Sequence, residues 1–122
     1  MNVKPLFIPL KKEFYDAFRD GSKKWELRGN RGQFKASRIQ KGRVARLARG
    51  YGYPRLIAKV IDIKTYDSIA DIPREIWDET VPLRLQNLET TVALSLNYKG
   101  YGYTLMRMEI DREEDFALGD ET

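Results

Sequence analysis

One stretch constrains the fold more than any other. Residues 11–20 place Phe14, Ala17 and Phe18 at i, i+3 and i+4, which predicts one turn-repeating apolar face on a helix. Gly21 follows at once, where a residue tolerant of the left-handed conformation ends a helix. Ser22-Lys23-Lys24 then leads into Trp25-Glu26-Leu27-Arg28, whose alternation predicts a strand. Trp25 and Leu27 are expected on one face, with Lys24, Glu26 and Arg28 on the other. A row of ionised groups over an apolar layer lines a polar pocket.

The flanking chain reads as β-rich. Leu6–Ile8 lies between Pro5 and Pro9 and suits a short buried strand. Lys41-Gly42 marks a tight turn before a strand at about 43–49, and Leu56 to about Tyr66 is rich in β-branched residues. The two make a hairpin with Gly50-Tyr51-Gly52-Tyr53-Pro54 at its tip. Between Asp67 and Glu79 two short helical starts are expected, the second anchored by Ile76 and Trp77. Leu85, Leu88, Val92 and Leu96 predict a helix over 84–97. Tyr103 to Asp111 reads as a last strand with Met106, Met108 and Ile110 on one face. Residues 112–122 form an acidic tail expected to fray. The boundaries are one domain over 1–111 and a tail over 112–122.

The chemistry is restricted by what is missing. The 122 residues include neither cysteine nor histidine. Disulfides, thiolate catalysis and zinc–sulfur sites are excluded, and so are the commonest general base and metal ligand. Lysine, tyrosine, hydroxyl and carboxylate groups remain. No motif for a metal or cofactor is present, and neither a P-loop nor a dinucleotide-binding glycine pattern occurs. No run approaches a membrane span, and the N-terminus does not read as a signal peptide, so no membrane partner is expected and a cytoplasmic location is.

The net charge of +4 hides a polarity. Residues 1–59 hold 16 Lys/Arg against 4 Asp/Glu, and residues 60–122 hold 6 against 14. A basic half of this size points to a polyanion, nucleic acid above all. Arg49-Gly50-Tyr51-Gly52-Tyr53 recurs as Lys99-Gly100-Tyr101-Gly102-Tyr103. A cation beside glycine-spaced tyrosines offers stacking surface for unpaired bases. The same residues also serve a plain structural reading of turn glycines and packed rings.

The order helix, G-x-K-x-x-E-x-R, β-rich body resembles the ASCH domain (activating signal cointegrator homology) of the PUA-like superfamily. Gly21, Lys23, Glu26 and Arg28 carry the resemblance, which spans roughly residues 4–111. It implies an α+β fold, a small PUA-like β-barrel with flanking helices, and a cleft lined by the motif. It also implies a nucleic-acid ligand, RNA or a modified nucleobase. Some members resemble amidohydrolases of N4-acylated cytidine, in which a motif lysine, a following threonine and a downstream glutamate form the catalytic set. Lys23 matches the lysine, Glu79 is the nearest downstream glutamate, and Lys24 stands where the threonine would be. Other members resemble ribonucleases, for which a metal-assisted mechanism is the expectation. Binding is therefore placed first, with Lys23, Lys24, Glu26, Arg28, Arg49, Tyr51 and Tyr53 as ligand contacts. Lys23 and Glu79 are the catalytic candidates if the protein is an enzyme. A protein-interaction module without a ligand is the third class.

Overall fold

The computed structural model describes residues 4–87 and 100–115. Among these residues five strands and two helices follow one another as β1 (Leu6–Pro9), α1 (Lys12–Asp20), β2 (Trp25–Gly29), β3 (Val44–Ala48), β4 (Arg55–Tyr66), α2 (Arg74–Thr80) and β5 (Tyr103–Glu114). The fold is α+β with one mixed sheet in the order β1-β3-β4-β5-β2. β1 runs parallel to β3, and the other neighbours are antiparallel.

The long β4–β5 pair is the spine. β3 and then β1 extend it beside Arg55–Lys59, while β2 lies against Tyr103–Arg107. Register shifts at Ile57/Ala58 and Val60/Asp62 interrupt this spine. Irregularities of this kind bend a sheet and increase its twist.

Two cores result. On one face Leu6, Ile8, Leu47, Leu56, Val60, Met106 and Met108 close around Tyr15 and Phe18 of α1. On the other, Trp25, Leu27, Tyr103 and Leu105 close around Trp77 and Val81 at α2. Leu105 and Met106 are adjacent yet belong to different cores, as strand alternation requires. The predicted roles of Trp25 and Trp77 as packing residues hold.

α1 ends where glycine allows it. Gly21 sits at φ +88°, and its N–H donates to Phe18 O at 3.3 Å. The chain then reverses under the helix, with Lys23 N–H on Ala17 O at 3.0 Å. This reversal carries Lys23 inward before β2 begins.

Three expectations are revised. The sheet is not closed into a barrel, because β1 and β2, its two edges, share no backbone ladder among the described residues. Residues 112–114 are not frayed tail but the end of β5, held by pairing with Leu56 and its neighbours. The expected helix over 84–97 does not start as one: Leu83–Leu85 is a 3₁₀ turn that ends at an extended Gln86, and residues 88–97 lie outside the described residues.

Candidate functional site

Strand alternation puts Glu26 and Arg28 on the α1 side of β2, since Glu26 stands opposite Met106 and Trp25 opposite Arg107. Lys23 comes to the same side by the turn after Gly21. The result is a buried chain of charge. Lys23 is 4% exposed and Glu26 5%. Lys23 Nζ lies 3.2 Å from Glu26 Oε1, and Arg28 Nε donates to Glu26 Oε2 at 2.7 Å. The carboxylate thus serves two cations, one on each oxygen.

Lys23 is fully committed. Its ammonium donates to Trp25 O and to Thr80 O, both at 2.6 Å, and meets Glu26. An ammonium has three donors, and these three partners account for them. The rings of Phe14 and Phe18 stand 5.4 and 5.0 Å from Nζ. Burial drives the Lys23 pKa below its ordinary value, and nearby Arg28 lowers it further, while Glu26 opposes both.

Arg28 carries the charge outward. Its Nη2 donates to Pro9 O at 2.7 Å, on the far edge strand, and its guanidinium lies 5.1 Å from the Phe34 ring. One side chain therefore bridges β2 to β1 where no ladder does. The physical reason the barrel expectation fails is also visible here: the gap is spanned by a guanidinium instead of by paired backbone.

Lys24 departs from its expected face. It precedes β2, so strand alternation does not bind it, and its Nζ lies 3.5 Å from Glu79 Oε2. Arg107 Nη1 approaches the other Glu79 oxygen at 3.5 Å, and its guanidinium lies over the Trp25 ring at 5.8 Å. The Glu79 carboxylate thus belongs to a half-exposed cluster with Lys24 and Arg107, while the Lys23 ammonium is buried between α1 and the Thr80 carbonyl at the end of α2. Backbone joins the two regions, with Lys24 N–H on Glu79 O at 2.7 Å, but the expected catalytic pair does not meet.

The Arg49 loop begins close to the Arg28 bridge. Leu10 N–H donates to Ala48 O at 2.7 Å, so Pro9 and Arg49 leave the sheet side by side. Arg49 stacks on Tyr53 at 4.1 Å, and Tyr51 is well exposed. The second tyrosine–glycine repeat lies elsewhere. Arg55 pairs with Glu114 and Tyr66 with Tyr103, so the two repeats flank opposite ends of the β4–β5 ladder. Tyr101 takes its cation from Arg31, at 4.8 Å.

Phe34, the Pro9 carbonyl and the Thr80 carbonyl complete the site, and none stood out in the sequence. Backbone acceptors have no sequence signal. Phe34 had one: a single ring inside an otherwise basic, glycine-bounded loop. A separate groove of about 470 Å³ is lined by Ile69, Ile72, Trp77, Arg74 and Gln86 among others, and none of the motif residues lines it. Among the described residues no three acidic side chains gather as a metal site. No helix among them is long and apolar enough to cross a membrane.

No protein-family model matches the chain, and no curated protein matches it either. Solved structures do. The crystal structure of hypothetical protein PH0355 aligns with a TM-score of 0.67 at 21% identity, covering 88% of this chain and 100% of that one. The solution structure of protein PF0455 from Pyrococcus furiosus aligns with a TM-score of 0.61 at 20% identity, covering 88% and 97%. At these identities the likeness is one of fold.

Proposed function

We propose that the protein is an ASCH-type, PUA-like module that binds nucleic acid, RNA before DNA, at the rim where Arg28 emerges. The observation that carries this reading is the Lys23–Glu26–Arg28 chain. Two cations share one buried carboxylate, so the group retains a net positive charge. That charge surfaces as a guanidinium held between the Phe34 ring and the Pro9 carbonyl. A fixed planar cation beside an aromatic face suits a phosphate or a base edge. The neighbouring Arg49–Tyr53 stack adds a second cation and ring of the same kind.

The amidohydrolase reading has less support. Lys23 has no donor to spare, and Glu79 is engaged by Lys24 and Arg107. Catalysis by this pair would require both arrangements to break.

The test is titration of a labelled oligoribonucleotide over a range of salt. Binding that weakens steeply with added salt, and weakens again in Arg28→Gln with an unchanged circular dichroism spectrum, supports the proposal. Absence of binding by the wild-type protein at low salt overturns it.

A further inference from the structure

The two described helices leave part of one sheet face without a helix over it: Phe7, Val44, Arg46 and Lys59 are exposed there, while Ile57, opposite Arg46, and Ala48 are buried. Leu6, Ile8, Ala45, Leu47, Ala58 and Val60 point to the α1 core. Their strand neighbours Phe7, Val44, Arg46 and Lys59 therefore point the other way. On that face α2 packs against β2, at the opposite edge of the sheet. No described helix covers the β1–β3–β4 half.

What is exposed there is specific. Phe7 is 48% exposed, large for a phenylalanine on a strand. It lies beside Arg46 in the β1–β3 register, and Lys59 lies beside Val44 one strand further on. Arg46 and Lys59 are exposed and enter no ion pair among the described residues. Glu109 faces Lys59 in the β4–β5 register without pairing with it. The surface offers an aromatic ring and two uncommitted cations on a rigid sheet.

We infer that this open face is the continuation of the nucleic-acid path, and that it takes a single strand. Pro9, the residue that accepts from Arg28, is two positions from Phe7 on the same edge strand, about 7 Å along it. A strand seated at Arg28 and Phe34 passes over the β1 edge onto Phe7, with Arg46 and Lys59 beneath its phosphates. Stacking on Phe7 requires an unpaired base, which sets single strands apart from duplex. The inference rests on the proposed function and adds the strandedness and route of its ligand.

The experiment compares wild type, Phe7→Ala, Phe7→Trp and the pair Arg46→Gln/Lys59→Gln, using a single-stranded oligoribonucleotide and the same sequence as duplex. Phe7 and both cations are exposed, so the variants are expected to fold. Phe7→Ala should weaken single-strand binding roughly 5- to 100-fold, with Phe7→Trp restoring it. The double charge variant should flatten the log–log salt slope by about 1.4, at about 0.7 per lost phosphate contact. Duplex should bind more weakly than single strand. Wild-type binding that Arg28→Gln weakens but Phe7→Ala leaves intact overturns this route alone. No wild-type binding at low salt overturns the proposed function with it. A wild-type dimer that Phe7→Ala converts to monomer assigns the face to a second copy of the chain, and overturns the route as well.

Discussion

The Lys23 ammonium and the Glu26 carboxylate stand 3.2 Å apart, both sealed beneath α1. Their surroundings are unequal, because Glu26 has a second cation in Arg28 and Lys23 has no second anion. Glu26→Ala leaves two cations facing each other and should cost about 3–5 kcal/mol. Lys23→Met keeps the aliphatic stem between Phe14 and Phe18 and leaves Glu26 paired with Arg28. It should cost clearly less, about 1–3 kcal/mol. Urea denaturation of both variants measures the difference, and equal losses would contradict the asymmetry.

Alkaline pH separates two buried groups. The Tyr15 hydroxyl donates to Glu113 Oε2 at 2.7 Å, and burial first, then Glu113, pushes its pKa above the ordinary value. Its contribution to stability is complete below about pH 10 and is lost as pH rises from there toward the raised value. Lys23 has the opposite sign. Its folded pKa is depressed, so between that value and about 10.4 the unfolded chain binds more protons and the Lys23 contribution rises with pH. Stability measured from pH 8 upward should therefore fall less steeply above about pH 10 in Tyr15→Phe than in wild type. Lys23→Met should lose the rising contribution.

Arg28 holds two sheet edges together. Removing its guanidinium in Arg28→Gln deprives Pro9 O of its donor and β1 of its tie to β2. Amide hydrogen exchange should speed up in Leu6–Ile8 and Glu26–Leu27 by about 10-fold, with Lys59–Ile61 and Met106–Met108 little changed. Uniform acceleration across all strands would show that the residue supports the whole fold and not the seam.

Lys24 is expected to be dispensable for folding. Both it and Glu79 are more than a third exposed, and such pairs contribute about 0–1 kcal/mol. Lys24→Ala and Glu79→Gln should each shift the urea midpoint only slightly. A loss above about 2 kcal/mol in either would place the Glu79 cluster in the folding core.

Gly21→Ala should destabilise even though open space surrounds the missing Cβ. The residue sits at φ +88°, and a side chain there strains the backbone by about 1–2 kcal/mol. Thermal melting gives the value. A neutral result would mean that α1 can end by another geometry.

Much of the framework was legible because it rests on periodicity and punctuation. The helix expected from Phe14, Ala17 and Phe18, the stop at Gly21 and the β-branched run of β4 all reappear within a residue or two, although Tyr15 and not Phe14 is the second fully buried ring of α1. The Glu26–Arg28 pair was legible for the same reason, since residues two apart on a strand share a face. Lys23 was not. A lysine in a turn reads as solvated, and its burial depends on two carbonyls, at Trp25 and Thr80, which any sequence would supply equally. Glu79 was singled out only as the nearest downstream glutamate, and order along the chain does not fix which cations its carboxylate meets, here Lys24 and Arg107 and not Lys23. The barrel expectation came from resemblance, and edge pairing between β1 and β2 is a long-range property with no local sequence signal.

The strand order has a consequence for synthesis on the ribosome. β1 meets its partner β3 after one helix, one strand and a loop, and β3 meets β4 as a hairpin. β2 is made early, and among the described residues its strand partner is β5, the last described strand. Until the C-terminal region has emerged, Trp25 and Leu27 have no tertiary partner in β5, and the Arg28 seam joins an edge not yet anchored. The nascent chain must carry this unpaired strand, with its apolar Trp25–Leu27 face, through most of translation, the interval in which such edges invite misassociation.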